Sequence, residues 1–338
     1  MKQQVIRLEH GGGGKLMREL IEEFVIPIYR YNRVRRGVGL PEMDDGATIP
    51  IENDNLVITT DAYTVKPLFF PGGDLGKLAA CGTINDLAVM GATPLALSSA
   101  IVVEEGFPLG KLRRILTSMD AVLRDVKVPL IVGDTKVVEH GKIDGMVVTT
   151  TGLGLAQRII LDSGLEPDDK LIATGPIGDH EIALLSFREG LSFETTLRSD
   201  VAPLLDTIRA ALEVGGVRSM KDPTRGGVAG ALNDMARKSK VNIIIREERL
   251  PIRDEVRGAA EMLGIDPLVG TNEGMALIGV ESRTADDVLT AIRGTKYGTQ
   301  AEVVGDVVKG DGMVILETAV GGKRIIEEPM GSPVPRIC

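Results

Sequence analysis

Cysteine is scarce in this sequence: Cys81 and Cys338 are the only two in 338 residues. Two thiols make no disulfide framework and no Cys-x-x-Cys metal site, and they point to a reducing compartment. Histidine is nearly as rare, and His10, His140 and His180 are too dispersed for a shared metal, so solvent-facing positions are expected. No apolar run reaches the ~18 residues of a membrane helix, and the opening MKQQVIRLEHGGGGK lacks the apolar core of a signal peptide. A soluble cytoplasmic protein without a membrane partner is expected. Basic residues are also short, 39 Lys and Arg against 48 Asp and Glu, giving a net charge of −9 that argues against nucleic acid. A polyphosphate ligand would then need a metal ion or a local cradle.

What is present reads as an ordinary globular chain, with 43% hydrophobic and 26% charged residues and enough length for two cores. Helical periodicity covers 15–31, and the GGD turn with Asp74 as N-cap opens a helix over 74–90. Strands are expected at 55–60, 95–103, 129–134 and 146–155, with a helix at 109–126. The second half repeats the rhythm. Strands are expected at 170–175, 242–247, 275–280 and in AEVVGDVV and MVILE. Helices are expected at 179–189, 200–214, 226–239, 254–263 and 284–293. The pattern predicts an α/β (α+β) fold of two mixed domains, 1–155 and 156–328, with GLEPDD (164–169) as linker and a mobile tail over 329–338.

That tail, GSPVPRIC from Gly331, ends the chain on a cysteine that has no following residue to help bury it. Pro333 and Pro335 keep the backbone extended, and Gly331 with Ser332 supplies a joint. At about 3.1 Å per residue the thiol could reach roughly 25 Å from the body. The arrangement reads as a swinging arm with a nucleophile at its tip. It is not a prenylation box, since three residues would have to follow the cysteine. Cys81, among Ala79, Ala80 and Gly82, reads as a small residue at a close helix contact.

Acidic residues gather at element ends: Asp44 and Asp45 in EMDDGA, Asp61 closing ITTD, Asp86 late in a helix and Asp134 closing PLIVGD. Each alone could be a cap or turn residue. Together they suit Mg²⁺, which takes hard oxygen ligands and bridges to substrate phosphates. The glycine run HGGGGK before a helix could turn N–H groups to an anion beside Lys15, although it lacks P-loop spacing. KDPTRGGVAG has the same logic, with Arg225 suited to a phosphate and Gly226 leading into a helix. Lys136 follows Asp134 by two residues, and Glu273 sits in the glycine-flanked turn GTNEGM.

Assembled, these segments closely resemble the HypE family of hydrogenase maturation proteins, within the ATP-binding superfamily of aminoimidazole ribonucleotide synthetase and selenophosphate synthetase. The resemblance rests on FFPGGDLGKLAACGTINDLAVMGA (69–92), VGDTKVV (132–138), DPTRGGVAG (222–230), TNEG (271–274) and the terminal PRIC, and spans essentially the whole chain. Selenophosphate synthetase itself fits less well, because HGGGGK carries no cysteine. The resemblance implies a homodimer whose N-terminal sheets join across its axis, and an ATP–Mg²⁺ site. Its candidate nucleotide residues are Gly13, Asp45, Asp61, Thr64, Asn85, Asp86, Asp134, Lys136, Thr150, Arg225 and Gly226. Asp45, Asp61, Asp86 and Asp134 are the expected metal ligands.

It further implies that Cys338 accepts a carbamoyl group from a HypF-type carbamoyltransferase and that ATP drives its dehydration to a thiocyanate. The cyanide then passes to iron on a HypC–HypD complex. Glu273 is the first candidate for the base, with Lys136 orienting the amide or stabilising phosphate, and these two roles could be exchanged. Two other readings stay open: a synthetase or kinase acting on a free small molecule, and an ATP-switched thiol carrier.

Overall fold

The computed structural model describes residues 5–190, 197–331 and 336–338. Ser332, Pro333 and Pro335, on which the hinge and stiff arm of the expected tail rest, lie outside them. Near the N-terminus the expected long helix is broken into pieces. Helix α1 (Gly14–Glu19) passes into a π-helical turn at Leu20–Val25 and a 3-10 turn at Ile26–Ile28, where Pro27 removes a backbone donor. Next come β1 (Ala47–Ile51), β2 (Asp54–Tyr63), the small hairpin β3 (Phe69–Phe70) and β4 (Gly73–Asp74), and α2 (Leu75–Val89). They are followed by β5 (Thr93–Glu104), α3 (Leu109–Asp125), β6 (Leu130–Val138) and β7 (Met146–Ala156).

The first sheet has the order β1-β2-β7-β5-β6, antiparallel except for the β5–β6 pair. Its inner face alternates with its outer face at period two, as in a half-covered sheet. On β5, Leu97, Ser99, Ile101 and Val103 are buried while Ser98, Ala100 and Val102 face outward. The inner face is covered by α2. Asp74 caps that helix as expected, accepting from the N–H groups of Gly76 (2.9 Å) and Lys77 (3.0 Å). Two glycines let α2 sit this close to its neighbours. A Cβ on Gly76 would lie 1.9 Å from the Ile115 carbonyl oxygen, and one on Gly82 would lie 2.2 Å from the Tyr63 hydroxyl. Cys81 is fully buried on the same helix.

The second half contributes β8 (Lys170–Ala173), α4 (Asp179–Arg188), α5 (Leu205–Val214), β9 (Val217–Lys221), α6 (Gly227–Ser239), β10 (Val241–Arg246) and α7 (Asp254–Leu263). It ends with β11 (Leu277–Val280), α8 (Ala285–Arg293), β12 (Glu302–Lys309), β13 (Val314–Glu317) and β14 (Lys323–Ile325). The sheet order is β14-β13-β10-β12-β8-β11-β9. Its central strands β8 and β11 are buried on both faces. Residues of α6 pack with Leu171, Leu277 and Ile243 on one side. On the other side α5 and α8 share a core with α2, so a single apolar layer links the two halves.

Helix α5 starts later than its periodicity suggests, at Leu205 rather than residue 200. Pro203 disfavours helical backbone at the residue before it. The Asp200 carboxylate and the Ala202 N–H are instead spent on the turn around Glu273.

Candidate active site

A cavity of about 880 Å³ opens between the N-terminal segment, the β1–β2 hairpin and the start of α6. Its lining combines apolar side chains, Met17, Ile21, Val34, Val38 and Ile49, with the carboxylates of Asp44, Asp45, Asp61, Asp86 and Asp222. Such a combination suits a ligand with a flat apolar part and a polyphosphate part. A second, much smaller chamber of about 30 Å³ adjoins it, lined by Asp61, Ala62, Tyr63, Gly82, Asp86, Thr224, Arg225, Glu273 and Cys338. Asp61, Asp86, Thr224 and Arg225 belong to both spaces, so a shared wall that carries two of the carboxylates separates the terminal cysteine from the large cavity.

The carboxylates there crowd one another. Asp86 accepts from the Thr59 hydroxyl at 2.6 Å, and its pKa stands well above the ordinary value, through burial first and then Asp61 and Asp222. Burial, followed by Asp45, pushes Asp222 up to about 8, against the opposing pull of Lys221. Among the described residues no three acidic, histidine or cysteine side chains stand close enough to hold a metal ion alone. Yet mutually repelling oxygen donors beside a nucleotide-sized cavity are the chemistry that fits Mg²⁺ bridging to phosphate oxygens.

Glu273 is buried in its turn. Its N–H and that of Gly274 donate to the Asp200 carboxylate at 3.1 Å each, while its own Oε1 has no partner among protein groups. Burial, then Asp200, Asp222 and Asp61, raise its proton affinity well above the ordinary glutamate value.

The chain end is seated rather than loose. Ile337 is buried and Cys338 half-buried. Thr64 donates its N–H to the Cys338 carbonyl (3.3 Å), and Lys66 donates to that of Arg336 (3.0 Å). Arg336 returns a bond from Nε to the Thr64 carbonyl (2.9 Å) and pairs with Asp144 at 2.5 Å. Arg188 donates to the carbonyls of Lys66 and Arg336. In this seat, burial pushes the Cys338 thiol up to about 12 despite Arg225 nearby, so it is held as a neutral thiol.

Several expected residues stand elsewhere. Asp134 and Lys136 lie in register with Ala100 and Val102, on the outer face of the sheet, whereas Asp61 is on the inner face. The chain by itself therefore does not bring them to the carboxylate cluster. Asn85 is buried and spent on the other half of the chain, donating to the Ala202 carbonyl (3.1 Å) and accepting from the Leu204 N–H (2.8 Å). Thr150 is buried against Thr83, with their hydroxyls 2.5 Å apart, and Thr64 holds the chain end. None of these three lines the large cavity.

Asp45 does line it, but its Oδ1 pairs with Lys221 at 2.7 Å, leaving only Oδ2 without a partner. Gly226 caps α6 in a left-handed conformation (φ 85°). Gly13 packs on Arg225, where a Cβ would lie 2.6 Å from the Arg225 backbone. The glycine run makes no open anion cradle at Lys15, because the N–H groups of Lys15 and Leu16 are taken by the carbonyls of Pro329 (2.9 Å) and Met330 (3.2 Å). Lys15 itself is on the surface near Glu19. His180 is fully buried rather than solvent-facing.

Sequence reasoning passed over Asp222, Lys221, Tyr63 and Asp200. Asp222 was open to discovery, being the acid of the same KDPTRGG segment that drew attention to Arg225. Tyr63 lies two residues after Asp61 and so shares its strand face; its hydroxyl donates to Asp61 at 3.2 Å.

Residues 43–156 match the N-terminal domain, and residues 166–316 the C-terminal domain, of the AIR synthase related protein family. The chain is 43% identical to the carbamoyl dehydratase HypE of Rhizobium leguminosarum bv. viciae, covering 98% of this chain and 95% of that one. Among solved structures it resembles HypE in a HypE–HypF complex, with TM-score 0.85 and 40% identity over 92% of this chain and 99% of that one. It also resembles a HypE bound to ATP, with TM-score 0.82 and 34% identity over 99% and 100% of the two chains.

Proposed function

The chain belongs to the HypE family of hydrogenase maturation proteins, and from that premise we propose that it is a carbamoyl dehydratase. It uses ATP to convert an S-carbamoyl group on Cys338 into a thiocyanate, the source of the cyanide ligands of a Ni–Fe hydrogenase iron. The observation that carries this reading is the shared wall: Cys338 sits in a chamber divided from a nucleotide-sized cavity only by Asp61, Asp86, Thr224 and Arg225.

The chemistry balances on these residues. The carbamoyl oxygen attacks the γ-phosphorus and ADP leaves, which turns a poor leaving group into phosphate. The amide nitrogen then gives up both protons as the C≡N bond forms and the C–O bond breaks, releasing inorganic phosphate. Glu273, with its raised proton affinity and a free carboxyl oxygen, takes one of those protons, and the departing phosphate takes the other. Arg225 faces the phosphate being transferred. Asp61, Asp86 and Asp222 would hold Mg²⁺, which when bound neutralises charge between phosphate and amide oxygen. Seating removes water from the amide and brings it within the few ångströms such a transfer needs.

Loading requires the opposite. A thiol held at a pKa of about 12 is a poor nucleophile, so Cys338 leaves its seat to receive the carbamoyl group. The likeness to the HypE–HypF complex supports a HypF-type carbamoyltransferase as the loading partner. A HypC–HypD iron scaffold is the proposed acceptor of the cyanide.

A homodimer built on the outer face of the first sheet is part of the proposal. Among the described residues nothing covers that face, where Thr60 and Ala62 are exposed, and β6 is exposed along nearly its whole length, including Ile131, Val132 and Val137. Pairing there is the arrangement in which Lys136 and Asp134 of one copy serve the site of the other.

Intact-mass analysis after incubation with a carbamoyltransferase, carbamoyl phosphate and ATP tests the function. The expected course is a carbamoyl adduct on Cys338 that loses one water only when ATP is present. An adduct that persists unchanged with Mg–ATP overturns the dehydratase reading.

A further inference from the structure

We propose that His180 is a positioning residue for Cys338, gripping the backbone of the chain end so that the cargo points at Glu273 and the shared wall. The proposal rests on the reading of Cys338 as the carbamoyl carrier. His180 is the second residue of α4 and fully buried. Its Nε2 lies 3.0 Å from the carbonyl oxygen of Ile337, and its Nδ1 lies 2.7 Å from the Ser199 hydroxyl. A carbonyl only accepts, so Nε2 carries the hydrogen and Nδ1 is the acceptor. Ser199 completes the assignment: its Oγ already accepts from the Val201 N–H at 3.0 Å, leaving its hydroxyl hydrogen for Nδ1. Every polar atom of a neutral imidazole is then paired. The Phe70 ring meets the imidazole edge-on, with centroids 5.5 Å apart and planes at 88°, which fixes the plane of the ring.

The chain end needs such a group. Its carbonyls at Arg336 and Cys338 turn towards the N–H groups of Lys66 and Thr64, and the Ile337 carbonyl between them turns the other way. Residues 64–66 can therefore hold only one edge of the segment, and His180 supplies the donor on the opposite edge. With the segment out of its seat, the Nε2 hydrogen would be left in a buried place without a protein acceptor, a cost that favours the seated position.

The same corner of the fold sets the other reactant. Ser199 orients His180, and its neighbour Asp200 accepts from the N–H groups of Glu273 and Gly274 and from the Asn272 amide. Two consecutive residues thus fix both the carrier and its base, so a shift in this corner displaces cargo and base together.

Iodoacetamide alkylation of the full-length protein reads the seat directly, because Cys81 is fully buried while Cys338 is half-buried at the chain end. His180→Ala is expected to raise the Cys338 alkylation rate about five- to tenfold, the range of one lost hydrogen bond. His180→Gln, whose amide donates at similar reach, is expected to restore most of the protection. In single-turnover dehydration of carbamoylated protein, His180→Ala should lower the rate while leaving KM for ATP unchanged. Should His180→Ala not fold, Ser199→Ala removes the tautomer partner, along with the acceptor of the Val201 N–H, and should raise alkylation about two- to threefold. Equal alkylation rates in wild type and a folded His180→Ala or Ser199→Ala protein overturn the proposal, as does a glutamine variant that reacts as fast as alanine. If wild-type protein never dehydrates its carbamoyl group, the functional reading fails, while the alkylation contrast still decides the role of His180.

Discussion

Asn85 and Leu204 join the two halves of the chain: the Asn85 amide oxygen accepts from the Leu204 N–H at 2.8 Å, inside a layer that solvent does not reach. The other end of the same amide donates to Ala202. Removing it leaves a buried N–H and a buried carbonyl without partners. Asn85→Ala is therefore expected to destabilise the protein by about 2–4 kcal/mol, since each orphaned buried group costs about 1–3 kcal/mol. Denaturant unfolding checks this; a loss below about 0.5 kcal/mol would show the bond to be dispensable.

Asp86→Asn and Asp222→Asn should weaken Mg–ATP binding and stop dehydration, while the carbamoyl group is still accepted at Cys338. Isothermal calorimetry on each variant is the check. Unaltered Mg–ATP affinity in both removes these two residues from the proposed site.

Glu273→Gln keeps the size and hydrogen-bonding reach of the side chain but not its basicity. Carbamoylated protein should accumulate, with the dehydration rate down about 10²–10⁴-fold, the usual contribution of a positioned base. Quench-flow mass analysis would read this directly, and a rate within threefold of wild type would assign the proton to another group.

Complementation tests whether sites span two copies. Glu273→Gln and Lys136→Ala proteins should each be inactive alone. Mixed and allowed to exchange subunits, they should regain about a quarter of wild-type activity, because half the dimers carry one intact site. No recovery, with exchange verified by mass, would mean that both residues serve the same copy.

Stability should fall as pH rises through neutrality, in part through Asp179. Burial first, then Asp200, pushes its carboxyl up to about 7, and Arg253 at 3.2 Å offsets this only in part. The folded pKa lies above the unfolded value of 3.8, so the folded state binds the extra proton and loses that advantage as pH climbs from about 4 to 7. Asp179→Asn should flatten the decline between pH 5 and pH 8 by about 1 kcal/mol or more. Parallel pH profiles for the two proteins would discount this group.

Residues marked by their own local motif were legible in the sequence. Asp61 at a strand end, Glu273 in a glycine-flanked turn, Arg225 before a helix and the terminal Cys338 do meet in space. The sequence is less legible where neighbours in one motif face different ways. Asn85 and Asp86 are adjacent on α2, yet a turn of about 100° per residue sends one into the second half and the other to the cavity. Asp134 and Lys136 resemble site residues by position, but sheet pairing sets their face, and that register joins residues far apart in the chain. His180 offered no local signal at all, because its partner Ile337 is 157 residues away.

The seat recognises main-chain oxygens at Arg336, Ile337 and Cys338, and none of its donors touches the sulfur. These donors are thus indifferent to what the sulfur bears. Under the proposed function, discrimination among bare, carbamoylated and cyanated ends falls to the walls of the small chamber, where Arg225 and Glu273 stand beside the sulfur. In the proposed cycle the backbone donors hold the end in place without setting its direction, which is left to the chamber walls and to nucleotide turnover in the neighbouring cavity.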